Sequence, residues 1–269
     1  MTRKPKPKPM PMPEIVGHNP DLSTDDVWEE WGRRDPYYGV ITHPKFTRSQ
    51  LTEESKREFF ESGANHVDYV MGTIRRCVAT DFAPKTVLDF GCGVGRTLIP
   101  FAKMAQQAVG ADVSAAMLEE ARRNCDTHQL INANLIVSDD SMSSMTDVFD
   151  LVHSFIVFQH IPLERGRLIF RSLLDRIAPA GVAAIHVLYS KMQYAETWGV
   201  APPPCPAPSA AQRRPQPQLI QSANLEMQMN PYPVNELFFM MQGKGVQRFY
   251  SEFTDHGGEL GLFLFFQVP

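Results

Sequence analysis

Residues 86–95, TVLDFGCGVG, run a short apolar stretch straight into three glycines at every second position, and the helix-like RTLIPFAKMA follows. The same rhythm continues to residue 190. QAVGADV leads into SAAMLEEARRNC with Ser114 placed as an N-cap, and ANLIVSDD follows. FDLVHSFIVF then leads into IPLERGRLIFRSLLDRIA, predicted helical up to Pro179 and Gly181, and GVAAIHVLYS is almost wholly apolar. Strands this apolar, separated by amphipathic helices, belong to a parallel sheet covered on both faces; a sheet with one wet face would alternate apolar and polar residues. The pattern predicts an α/β fold with five β units.

What flanks this core reads differently. MTRKPKPKPMPMP alternates proline with lysine or methionine, so residues 1–21 are expected to form an unpacked tail. Residues 22–63 are expected to be a helical cap: DDVWEEWGRRDP offers an acidic helix start and a proline stop. LTEESKREFFESGANHVDYVMGTIRRCV reads as helix, interruption near Gly63, then helix, with Val67, Val70, Met71, Ile74 and Val78 on one stripe. Residues 64–269 would be the main domain, carrying a proline-rich insertion at about 191–231. VNELFFMMQGKG predicts a further helix, and the runs around Asp255-His256-Gly257-Gly258 predict a hairpin. LFLFFQV either completes the sheet or offers a dimer face, leaving monomer and homodimer both open.

A strand, a glycine-rich turn and a helix form a ligand cradle. Glycine allows positive φ and lets a ligand approach where a Cβ would stand, and the helix N-terminus offers free N–H groups to an anion. Gly91, Gly93 and Gly95 follow G-x-G-x-G, whereas the dinucleotide fingerprint has its last glycine where Arg96 stands. Asp112, at the tip of the next strand, is placed to accept both hydroxyls of a ribose. Asp139, at the tip of a further strand, could read an adenine edge, or Asp140 if the register slips by one. Successive acidic strand ends beside a glycine turn point to an adenosine-type ligand.

In order, VLDFGCGVGR, GADVSAAMLEEAR, ANLIVSDDSM, FDLVHSFIVFQHIP and LLDRIAPAGVAAIHV resemble the successive motifs of class I S-adenosylmethionine-dependent methyltransferases. The likeness spans about residues 64–190, and DPYYGVIT and FFESGANHV are similar to leading segments of some bacterial members. The resemblance implies a Rossmann-like, mostly parallel seven-stranded sheet with a C-terminal β-hairpin and an N-terminal helical extension. It implies S-adenosylmethionine as cofactor. Asp89 and the backbone from Gly91 through Cys92 to Gly95 would hold its methionine portion, Asp112 its ribose and Asp139 its adenine, with Ser154 near the methionine end. Arg96, Val113 and Asp140 complete the implied cofactor-binding positions.

Methyl transfer from a sulfonium needs a nucleophile held in line with an activated carbon, and positioning supplies most of the effect. A base is required only for an acceptor that is protonated at working pH, as a hydroxyl or an ammonium is. His160 in FQHIP is the candidate base or substrate hydrogen-bond partner, against the plainer reading of a helix-start histidine bonded to backbone. Gln159, Tyr37, Tyr38 and Tyr189 are the candidate acceptor-binding residues, while Trp28, Trp31 and His186 read as packing. A small-molecule acceptor is expected. A protein or other macromolecular acceptor and a nicotinamide-dependent oxidoreductase remain as alternatives.

Composition bounds the partners. With net charge −4 and no basic, aromatic-studded groove, nucleic acid is not expected. No apolar run is long enough to span a bilayer. The four cysteines lack C-x-x-C pairing, which argues against a zinc site or disulfide framework and fits a reducing cytoplasm.

Overall fold

The computed structural model describes residues 23–197, 225 and 227–269. The expected tail, most of the expected insertion and Cys205 therefore lie outside the described residues. Seven strands form one sheet: β1 (Thr86–Phe90), β2 (Gln107–Asp112), β3 (Ala133–Val137), β4 (Phe149–Ser154), β5 (Ile177–Lys191), β6 (Phe249–Asp255) and β7 (Glu259–Gln267). Their order is β3-β2-β1-β4-β5-β7-β6. The first five run parallel, while β7 is antiparallel to both β5 and β6. LFLFFQV thus completes the sheet, lying between β5 and β6. Chain order reverses between β1 and β4, and the carboxyl edge at such a switch point is where open α/β sheets bind ligands.

Among the described residues, seven α-helices surround the sheet: α1 (Thr24–Arg34), α2 (Pro36–Val40), α3 (Glu53–Cys77), α4 (Leu98–Met104), α5 (Ala115–Thr127), α6 (Leu163–Asp175) and α7 (Val234–Gly243). The two-residue period of a strand sorts side chains to opposite faces. Val87 and Leu151 pack on Val67, Val70 and Ile74 of α3, whereas Leu88, Phe90 and Val152 join Ile169, Phe170 and Leu173 of α6. Burying side chains of this size contributes roughly 1.5–3 kcal/mol each.

Two boundaries differ from the sequence reading. The α3 helix runs unbroken through Gly63, because this glycine marks a close approach: a Cβ there would lie 2.0 Å from the Arg96 carbonyl oxygen. The helix interruption expected near Gly63 is therefore absent. The second difference is at α6, which stops at Asp175, and β5 begins before Pro179. Pairing skips from Phe149–Ile177 to Leu151–Val182, so the proline falls in a bulge, where its missing N–H costs no ladder bond.

Candidate functional site

The strand tips of β1, β2, β3 and β4 open onto one cavity of about 750 Å³, within the range of small-molecule sites. Its floor is the glycine turn. Gly91 (φ +74°) lies against Val157, whose Cγ2 would be 2.3 Å from an added Cβ, and Gly93 (φ +51°) lies against Val40 of α2, 2.7 Å from an added Cβ. Neither position has room or backbone freedom for a side chain.

Asp112 closes the turn from β2. Its carboxylate accepts Gly93 N–H at 2.8 Å and Ser114 N–H at 2.9 Å, lines the cavity and is 9% exposed. Burial pushes its pKa up to about 6, against the lowering effect of those two N–H groups. Arg96 also lines the cavity, and its guanidinium makes no hydrogen bond or ion pair with another side chain among the described residues. Burial lowers its pKa, and the nearby Asp89 charge opposes this. The other arginine of the lining, Arg165 of α6, is spoken for: it chelates Asp140 and reaches Asp25 of α1 at 2.7 Å.

The leading helices roof this space. Glu29 of α1 accepts from Ser114 Oγ and Ala116 N–H at 2.8 and 3.0 Å, reinforcing the N-cap of α5. Between Asp25 and Glu29, Trp28 reaches the cavity and packs edge-on against His160, with ring centroids 4.9 Å apart. His160 follows β4 in the short 3₁₀ turn Phe158–His160. Its Nδ1 lies 2.8 Å from the Gln228 carbonyl oxygen. A carbonyl can only accept, so Nδ1 carries the proton and the neutral ring keeps its lone pair on Nε2. Burial lowers the pKa of this imidazole to about 4, which keeps it neutral at physiological pH.

Of the residues singled out from sequence, Gly91, Cys92, Gly93, Arg96, Asp112, Val113, Asp139, Asp140, Gln159 and His160 come together at the cavity. Asp139 is turned into its own loop, accepting from the backbone and hydroxyls of Ser141 and Ser143, which hold it far below the usual carboxylate range. Burial pushes the Cys92 thiol well up, so it is no thiolate. Asp89 points beneath the cavity instead: it accepts from Thr97 Oγ1 at 2.8 Å and lies 2.7 Å from His153 Nδ1. Gly95, Ser154, Tyr37, Tyr38 and Tyr189 lie outside the lining. The Tyr37 hydroxyl sits 2.8 Å from both Glu120 Oε1 and Asn124 Oδ1, anchoring α2 to α5, and Tyr38 packs on Trp31. Tyr189 packs on Phe253 of β6.

Sequence reasoning missed Asp25, Trp28, Arg165, Met227 and Met229. Trp28 was read as packing, and nothing local to these residues marks them. Each reaches the cavity through contacts with distant parts of the chain.

Residues 87–181 match the family model for a methyltransferase domain. Over this stretch the chain is similar to methyltransferase domains. A trans-aconitate 2-methyltransferase from Rhodopseudomonas palustris is 30% identical to it over 127 residues, covering 43% of this chain and 47% of that protein. A ubiquinone biosynthesis O-methyltransferase from Hydrogenovibrio crunogenus is 32% identical over 79 residues, covering 29% of this chain and 33% of its own. The chain thus spans less than half the length of these curated relatives. At the level of fold the likeness extends further. Magnesium protoporphyrin IX methyltransferase from Synechocystis, solved with bound SAH, superposes with a TM-score of 0.62 at 15% identity, covering 91% of this chain and 98% of that one. No helix among the described residues is long and apolar enough to cross a membrane.

Proposed function

We propose that the protein transfers a methyl group from S-adenosylmethionine to an oxygen or nitrogen of a small-molecule acceptor. The observation that carries this reading is the buried Asp112 carboxylate, clamped by Gly93 and Ser114 N–H groups and facing a 750 Å³ cavity. A carboxylate left with a raised pKa gains most from a ligand that donates hydrogen bonds to it, and a ribose diol does so twice. Gly91 and Gly93, packed under Val157 and Val40, hold the turn in its positive-φ course along the cavity. Arg96 meets the methionine carboxylate, and the Asp139–Asp140 turn bounds the adenine end. The residues present therefore fit this cofactor.

Bound there, S-adenosylmethionine supplies a sulfonium methyl that a lone pair displaces in line, leaving S-adenosylhomocysteine. The chain's own part is to hold, orient and exclude water. Helix α1, fastened by Asp25 to Arg165 and by Glu29 to α5, lays Trp28 over the cavity. A roof of this kind favours a small acceptor over a macromolecule. His160 offers Nε2 for the acceptor's hydrogen. Titration calorimetry tests the reading. S-adenosylhomocysteine is expected to bind at micromolar concentration and NAD not to bind. Absence of S-adenosylhomocysteine binding at millimolar concentration would refute it.

A further inference from the structure

Two adjacent residues of the cavity lining carry lone pairs that nothing in the described structure meets. Gln159 is 4% exposed, and its Oε1 is fully buried without a hydrogen-bond partner. Its amide nitrogen lies 3.4 Å from the sulfur of Met229. A thioether has no hydrogen to give, so the NH₂ faces Met229 and the oxygen is the orphan. His160, 8% exposed, spends its only proton on the Gln228 carbonyl and leaves Nε2 as a second acceptor. A buried acceptor without a donor costs about 1–3 kcal/mol, which a fold tolerates where a ligand supplies the donor. Around the pair, Trp28, Val157, Ile161 and Met229 make the wall apolar.

We infer that the acceptor is a neutral hydroxyl compound with an apolar body that presents two hydrogen-bond donors, one to Gln159 Oε1 and one, the hydroxyl to be methylated, to His160 Nε2. This deepens the methyltransferase reading and rests on it. A carboxylate acceptor would set its own lone pairs against both of these. An ammonium acceptor must lose its proton before it can attack, and an imidazole of pKa about 4 is too weak to take it. A hydroxyl, unlike an ammonium, has a free lone pair while it still carries its proton, so the base need only receive that proton as the bond to the methyl carbon forms. As its oxygen lone pair bonds to the methyl carbon and the carbon–sulfur pair returns to sulfur, the oxygen becomes strongly acidic. Its proton then passes to His160 Nε2, and the imidazolium releases it to water.

Matched probes test this on the full chain saturated with S-adenosylhomocysteine. Catechol and phthalate share a ring and differ in presenting two hydroxyls or two carboxylates. Saturation-transfer NMR titrations are expected to show catechol binding at least about tenfold tighter than phthalate. Gln159→Leu should erase that margin, and Gln159→Glu, which keeps an acceptor oxygen, should retain catechol binding. Phthalate binding as tightly as catechol, neither probe binding, or a margin that survives Gln159→Leu would each overturn the assignment. Calorimetry of the same samples reads the cofactor site separately. If S-adenosylhomocysteine itself fails to bind, the methyltransferase reading falls; if it binds and the probe preference is absent, only the acceptor class does.

Discussion

In the proposed cofactor site, Asp112 would bind a ribose and make that binding depend on pH. Two backbone N–H groups favour its charged form, yet burial outweighs them and lifts its pKa to about 6. Ribose hydroxyls donate only to the carboxylate, so binding must pull that pKa down and release a proton wherever the free site holds one. Affinity for S-adenosylhomocysteine is therefore expected to rise as pH increases through about 6 and to level off above it. Asp112→Asn should flatten this dependence and weaken binding about 10- to 100-fold, since hydrogen bonds to a charged group are worth about 1.5–3 kcal/mol. Calorimetric dissociation constants between pH 5 and 8 check both. The sequence marks Asp112 because a strand tip beside a glycine turn is a local pattern. It does not mark Arg165, whose partner Asp25 lies 140 residues away, nor Trp28 over His160, because such pairs exist only once the chain has closed.

Among the elements, α3 is where local preference and packing disagree. Glycine in a helix interior costs about 1 kcal/mol relative to alanine, so the sequence reads Gly63 as a break. The helix passes through it because the close contact needs a glycine: α3 lies on the backbone of Arg96, at the end of the glycine turn. Gly63→Ala should therefore lower stability despite its better propensity. The added Cβ would sit 2.0 Å from a carbonyl oxygen that has no rotamer to turn away. Overpacking of about 1–3 kcal/mol outweighs the propensity gain and pushes α3 off the turn. A lower Tm together with weaker S-adenosylhomocysteine binding is expected; a raised Tm with unchanged affinity would show that the contact yields. The parallel strands were legible because each is a short, almost wholly apolar run with its own terminator. Pro179 misled the end of α6 because a proline stop and a proline bulge look alike until the partner strand is in place.

At the scale of the whole molecule, the buried imidazoles set the response to acid. Burial lowers the pKa of His66 to about 2, of His186 to about 3 and of His160 to about 4. For His186 the cause is visible: Nε2 lies 2.8 Å from Thr254 Oγ1, while Nδ1 is buried with no partner. Unfolding returns each to about 6.5, so near pH 5 the unfolded chain binds about three protons at these positions that the folded chain does not. Asp112 works the other way. Its raised pKa makes the folded state bind one proton more than the unfolded state between about 4 and 6, so its contribution to stability is lost as pH rises through that window. Across these four groups the balance is an uptake of about two protons on unfolding, or roughly 2.7 kcal/mol of stability lost per pH unit on the acid side of 6. Stability should therefore hold above about pH 6.5 and fall steeply from there toward pH 4.5. Scanning calorimetry in two buffers of different ionisation enthalpy counts the protons directly. Replacing His186 with glutamine, which keeps a polar partner for Thr254 without a titrating ring, should remove about one proton from that uptake and halve the slope. An uptake unchanged by His186→Gln would mean that this imidazole takes up its proton in the folded protein, and that the buried cluster is more open to solvent than its packing indicates.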